Sequence, residues 1–116
     1  MEIGEASRPC IGINPIVDGR DLLRDGQTGA VMKMAKAVAR LIERHVRCSD
    51  GSFMRCFVPE SPTGSWAEAQ ALKRRFELES VGAIIHLSRA WSYPEEVAQF
   101  DARLPQAIWG FSGSNA

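Results

Sequence analysis

The apolar positions of this chain fall into short β-rich runs separated by stretches with helical spacing. In "CIGINPIV", Ile11, Ile13, Ile16 and Val17 make a run that reads as a strand, and Pro15, which has no N–H to give a sheet, predicts its end. The next stretch, "VDGRDLLRDGQ", carries two Asp-Gly pairs and reads as a loop. From about Gln27 to Arg47, Val31, Met34, Ala35, Val38, Leu41, Ile42 and Val46 recur at intervals of three and four, as one face of a helix requires. Lys33, Lys36, Arg40, Glu43, Arg44 and Arg47 fill the other face, and the basic residues of the last turns suit the negative end of the helix dipole. That face reads as solvated rather than as a binding patch.

Further on, "CSDGS" predicts a turn and "FMRCFV", before Pro59, a second short strand. Ser65 with Glu68 three residues later makes a capping box, opening a helix from about Trp66 to Glu79 with Trp66, Ala69, Leu72 and Phe76 on one stripe. "VGAIIHL" is almost continuously apolar, the pattern of a strand covered on both faces, which favours a parallel sheet. A helical turn is expected around Glu95 to Phe100, and "QAIWGF" reads as a fourth short strand. Strands and helices therefore alternate. The fold class expected is α/β, a short parallel sheet with helices on both faces, Rossmann-like in arrangement.

Composition narrows the picture without naming a chemistry. The chain has 116 residues, 45% hydrophobic and 24% charged, which suits one domain over about residues 10–116 after a loose lead-in at 1–9. Fourteen basic and fourteen acidic side chains balance, so no broad electrostatic footprint invites nucleic acid or an anionic membrane. No apolar run approaches the length of about 18 residues that a spanning helix needs, and no basic-then-apolar leader opens the chain, so a cytoplasmic location is expected. Cys10, Cys48 and Cys56 are odd in number and form no CxxC pair, and are expected to be reduced thiols without special reactivity.

Several familiar sites are missing. The first strand is followed by "GINPIVDG" instead of the dinucleotide fingerprint G-x-G-x-x-G, and there is no phosphate loop and no G-x-S-x-G elbow. His45 and His86 belong to no metal-binding spacing, and each reads as structural. What remains is positional, because ligands of open parallel sheets collect beyond the carboxyl ends of the strands. Three loops lie there: the first with Asp18, Gly19, Arg20 and Asp21, the second with Glu60, Ser61 and Thr63, the third with Ser88, Arg89, Trp91, Ser92 and Tyr93. Brought to one edge, Arg20 and Trp91 suit a small polyol, the guanidinium meeting hydroxyls and the ring covering the sugar's apolar face. By spacing alone the signal is weak, and Arg20 reads first as a surface or loop-stabilising arginine and Trp91 as a hydrophobic lid over the strand ends.

In order and spacing, "IGINPIVDGR", "GQTGAVMKMAKAVARLI", "WAEAQALKRRFELESVG", "AWSY" and "AIWGF" together resemble the N-terminal domain of L-fucose isomerases over about residues 10–113. The resemblance implies an aldose-ketose isomerase, turning L-fucose into L-fuculose and often D-arabinose into D-ribulose. It also implies a homo-hexamer with Mn2+. The metal ligands and the acidic groups that move a proton between C1 and C2 are expected in later domains, so this chain alone is expected to bind no metal and to be inactive. Its own contribution, by resemblance, is to close a neighbouring subunit's sugar pocket with Arg20 and Trp91.

Two departures bear on the sugar: Asn14 stands where the family commonly has an arginine before the proline, and "RAWSYP" replaces a cysteine-flanked, glycine-ended loop. The end at Ala116 is expected to omit at least one further helix and strand of the domain. A second reading, a free-standing binding or oligomerisation module that has lost catalysis, is separated from the first by whether the gene continues past codon 116.

Overall fold

A computed structural model describes residues 9–88 and 99–110, residues 21–23 through their backbone alone. Along the chain come β1 (Cys10–Ile16), α1 (Asp21–His45), β2 (Arg55–Phe57), α2 (Trp66–Leu78), β3 (Ala83–Ser88) and β4 (Gln106–Gly110). The strands form one sheet in the order β2-β1-β3-β4, and every pairing is parallel. The expected α/β class is thus the one adopted. Residues 1–8 of the lead-in expected at 1–9, and most of the turn expected at 95–100, lie outside the described residues.

Alternation along the central strands builds a core on each face of the sheet. Ile13 and Leu87 pack with Ala35, Val38 and Ala39 of α1. Cys10 and Ile84 pack with Ala69, Leu72 and Phe76 of α2, joined by Val81 and Phe100. Phe76 is the keystone of the second core: its ring stands edge-on to Phe57 at 5.9 Å and 5.4 Å from Phe100. Gly12 of β1 makes room for it, since a Cβ there would come within 2.8 Å of the Phe76 ring. Burial on both faces explains why β3 reads as an unbroken apolar run.

Several elements differ from the sequence pattern, each for a local reason. Pro15 lies inside β1, opposite Leu87, instead of ending it. Its ring nitrogen faces the β2 side, where β2 pairs only as far as Gly12, so no ladder bond is lost. Further along that side Thr63 takes over, its N–H donating to the Pro15 carbonyl at 2.7 Å. Helix α1 starts at Asp21, well before Gln27, so the Asp25-Gly26 pair is helical and not a turn. Gly26 and Gly29 face open space, where a Cβ would meet nothing. The first turn has no side-chain cap, and tertiary contacts through Arg24 hold it instead.

The apolar face of α1 is also rotated from the one first read. Val31, Met32, Ala35, Val38 and Ala39 are buried, whereas Met34, Leu41 and Val46 are exposed. Trp66 likewise sits exposed at the start of α2, leaving Ala69, Leu72 and Phe76 as its buried stripe. In the "CSDGS" turn Gly51 takes φ +87°, a conformation glycine adopts without penalty.

Candidate functional site

From β1 the chain passes through α1 to β2 on one side, then through α2 back across to β3 on the other. The strand order therefore reverses between β1 and β3, and the crevice beyond their carboxyl ends is where an open parallel sheet takes its ligands. Two of the three loops named above flank that point: the one after Ile16, and the one after Ser88.

The first loop is anchored before it reaches its candidate residue. Val17 N–H donates to the Thr63 carbonyl at 3.0 Å, so the second loop continues the sheet where β2 has stopped. Gly19 then lies directly on Gly64, and a Cβ on Gly19 would collide with the Gly64 carbonyl oxygen. Arg20 follows, with its side chain 63% exposed, while the carboxylate of Asp18 beneath it is only 3% exposed. Arg20 Nε donates to Asp18 Oδ1 at 3.0 Å and Nη2 to Oδ2 at 2.6 Å, and the Arg20 backbone N–H also donates to Oδ1 at 3.0 Å. The Asp18 backbone N–H in turn donates to Gln27 Oε1 at 2.8 Å. The guanidinium beside Asp18 holds that carboxyl below the usual carboxylate range, so the pair is charged at neutral pH.

A buried carboxylate that grips a largely exposed guanidinium orients it and balances its charge. Planar guanidinium N–H donors held in this way can meet the hydroxyl oxygens of a ligand. Arg20 is thus found at the predicted edge, presented outward. Trp91 lies outside the described residues, in the stretch that follows β3.

The second loop contributes differently from the expectation. Thr63 is buried as an extension of the sheet, and Glu60 pairs with Arg75 of α2 at 3.2 Å. A shallow cleft beside this loop is lined by Pro59, Ser61, Pro62, Thr63, Leu72 and Arg75. It is walled by α2 and the β2–α2 loop, and takes no residue from the loops that follow β1 and β3 at the switch point. The candidate site is therefore placed at the Arg20 loop.

Beneath the crossover a polar chain runs across the α2 face of the sheet. Asn14 Nδ2 donates to His86 Nδ1 at 3.0 Å, and His86 Nε2–H donates to Gln106 Oε1 at 2.7 Å. Gln106 Nε2 donates to the Asp101 carbonyl at 2.8 Å, which sets the direction of the whole chain and fits a neutral His86. Burial pushes the His86 pKa down, and the Gln106 hydrogen bond opposes the shift only in part. His86 is a satisfied core histidine, as its spacing suggested.

Among the described residues no three His, Cys, Asp or Glu side chains gather where they could hold a metal ion. No helix there is long and apolar enough to cross a membrane. Burial raises the thiol pKa of Cys10 and pushes that of Cys56 up to about 12, and no disulfide forms. Sequence reasoning placed Asp18 in this loop and Glu68 in a capping box without their arginine partners, and missed Gln27 and Arg24 as supporting residues. The Asp-Gly-Arg spacing could have suggested Asp18, but nothing in the sequence pairs Arg24 with Glu68.

Residues 8–116 match the family model for the first N-terminal domain of L-fucose isomerase. The L-fucose isomerase of Haemophilus influenzae is 39% identical over 111 residues, covering 95% of this chain and 19% of that protein. Those of Phocaeicola vulgatus and Vibrio vulnificus are each 39% identical, over 107 and 105 residues, or 91% and 90% of this chain. The chain spans about a fifth of the length of these relatives, 18–19%.

Proposed function

As the chain belongs to the L-fucose isomerase family, through its first N-terminal domain, we propose that it is the N-terminal part of an aldose-ketose isomerase acting on L-fucose. Its task is to bind and orient the sugar, with D-arabinose as a second substrate. The observation that carries this reading is Arg20, held in a fork by the buried Asp18 carboxylate at the β1 exit and presented outward. In the proposed site Arg20 donates to sugar hydroxyls and Trp91, from the loop after β3, covers the sugar's apolar face.

The described residues do not fit a metal, so no step here runs through one. The Mn2+ and the carboxyl groups that move the proton are assigned to the parts of the enzyme beyond this chain, and the chain alone is proposed to be inactive. The pocket it closes is proposed to belong to a neighbouring subunit of a homo-oligomer, a hexamer by resemblance, in the cytoplasm. The test is ketose formation from L-fucose and from D-arabinose by the intact protein carrying this domain, beside the 116-residue chain. Turnover by the intact protein alone is expected. Failure of the intact protein to convert either sugar overturns the reading, and turnover by the short chain overturns the assignment of chemistry to other domains.

A further inference from the structure

The beginnings of the two helices are tied together by one ion pair. Arg24, in the first turn of α1, donates from Nη1 to Glu68 Oε1 at 2.6 Å and from Nη2 to Glu68 Oε2 at 2.7 Å. Its Nη2 also donates to the Pro62 carbonyl at 3.2 Å. Glu68 lies in the first turn of α2, where Ser65 caps its N–H at 3.1 Å. In an ordinary capping box the glutamate would reach back to the N–H of the capping serine. Here Oε1 reaches one residue further, accepting from Gly64 N–H at 3.0 Å, and the carboxylate also meets Arg24. One carboxylate therefore serves both helices, and the Arg24 guanidinium beside it keeps it ionised.

Gly64 is the point where these parts meet. A Cβ on it would lie 3.1 Å from Arg24 Nη1, from Gly19 Cα and from Val17 Cγ2 at once. Gly19 precedes Arg20 directly, and the first backbone bond of α1, Arg24 N–H to the Arg20 carbonyl at 2.9 Å, follows it. Arg20 is thus bracketed: Gly19 is pinned on its near side and Arg24 on its far side, both against the same carboxylate-held loop.

We propose that the Arg24–Glu68 pair is a positioning device for Arg20, locking the β1–α1 loop onto the β2–α2 loop so that the guanidinium meets its ligand in one orientation. The inference rests on the sugar-binding reading of Arg20. The two side chains are 26% and 36% exposed and meet in a two-pronged fork, so the pair adds local stability to the two loops as well as fixing their geometry. Its effect on Arg20 is geometric, and misplacing a binding group costs binding without removing the chemistry.

The experiment uses two mild variants of the intact protein. Arg24→Lys keeps the charge and loses the two-pronged fork, and Glu68→Gln keeps an acceptor for Gly64 N–H and loses the charge. Amide exchange over the 17–24 and 62–65 segments should become roughly tenfold faster while that of the α2 core around Leu72 stays at the wild-type rate. The KM for L-fucose should rise roughly three- to tenfold with kcat within about twofold, the split that marks lost ground-state binding. The swap Arg24→Glu with Glu68→Arg should restore part of both. Wild-type exchange in both single variants overturns the clasp, and faster exchange with unchanged KM overturns its role in positioning. If the wild-type protein converts no sugar, the exchange result still reads the clasp and the sugar reading of Arg20 is what fails.

Discussion

Replacing Gly19 by alanine should destabilise the domain, although glycine is needed there for space and not for backbone conformation. The added Cβ would collide with the Gly64 carbonyl oxygen, a backbone atom that cannot swing aside as a side-chain tip can. One loop has to retreat from the other. Overpacking of this kind costs about 1–3 kcal/mol. The same retreat strains two backbone bonds beside it, Val17 N–H to Thr63 and Thr63 N–H to Pro15, at 3.0 and 2.7 Å. Each is worth about 1 kcal/mol net, and since strain forfeits about half of that, the whole loss should be about 2–4 kcal/mol. Gly26→Ala and Gly29→Ala are the controls, because a Cβ at either meets nothing. Both lie in the interior of α1 and should stabilise it by up to about 1 kcal/mol. Urea unfolding followed by circular dichroism reads all three. A Gly19→Ala variant within about 0.5 kcal/mol of wild type would refute the close contact of the two loops, since surface changes of no consequence fall in that range.

Other outcomes follow from burial and exposure. Burial lowers the His86 pKa below its ordinary 6.5, so the unfolded chain binds the proton more readily and stability should fall as pH drops below about 6.5. His86→Gln should flatten that part of the stability–pH curve, and an unchanged slope would count against it. Cys56, with its thiol pushed up to about 12, should resist iodoacetamide at pH 8 in the folded chain and react freely in urea; equal rates by mass spectrometry would contradict its burial. All five residues of β4 are exposed, Ile108 at 66% and Trp109 at 45%, and its outer edge has no strand partner among the described residues. Sedimentation velocity of the 116-residue chain should show association that grows with concentration and weakens in Trp109→Lys, whereas a monomer throughout would rule it out.

Much of the architecture was legible because its physics is local. The 3.6-residue spacing of α1, the Ser65 cap of α2 and the unbroken apolar run of β3 each carry their element without outside help. The errors came where tertiary contacts outweigh local signals. Asp25-Gly26 is helical because Arg24 is anchored on α2, and Pro15 stays in its strand because its neighbour has already ended. Met34, Leu41 and Trp66 match the apolar spacing but lie beyond the edges of what the sheet covers. At the site, topology and resemblance picked out Arg20, but the residues that hold it were hidden. Glu68 read as a capping residue, and its second partner is 44 positions away in the chain. Trp91, the other residue proposed for the site, lies outside the described residues.

The most direct measurement of the central claim is steady-state kinetics of Arg20→Ala in the intact protein on L-fucose, with metal content and oligomer size determined on the same samples. Hydrogen bonds to a charged donor are worth about 1.5–3 kcal/mol, so kcat/KM should fall about tenfold to hundredfold while metal loading and assembly stay at wild-type levels. Near-normal kinetics, or a loss that appears only because the oligomer falls apart, would show that Arg20 braces its own loop through Asp18 and does not bind the sugar.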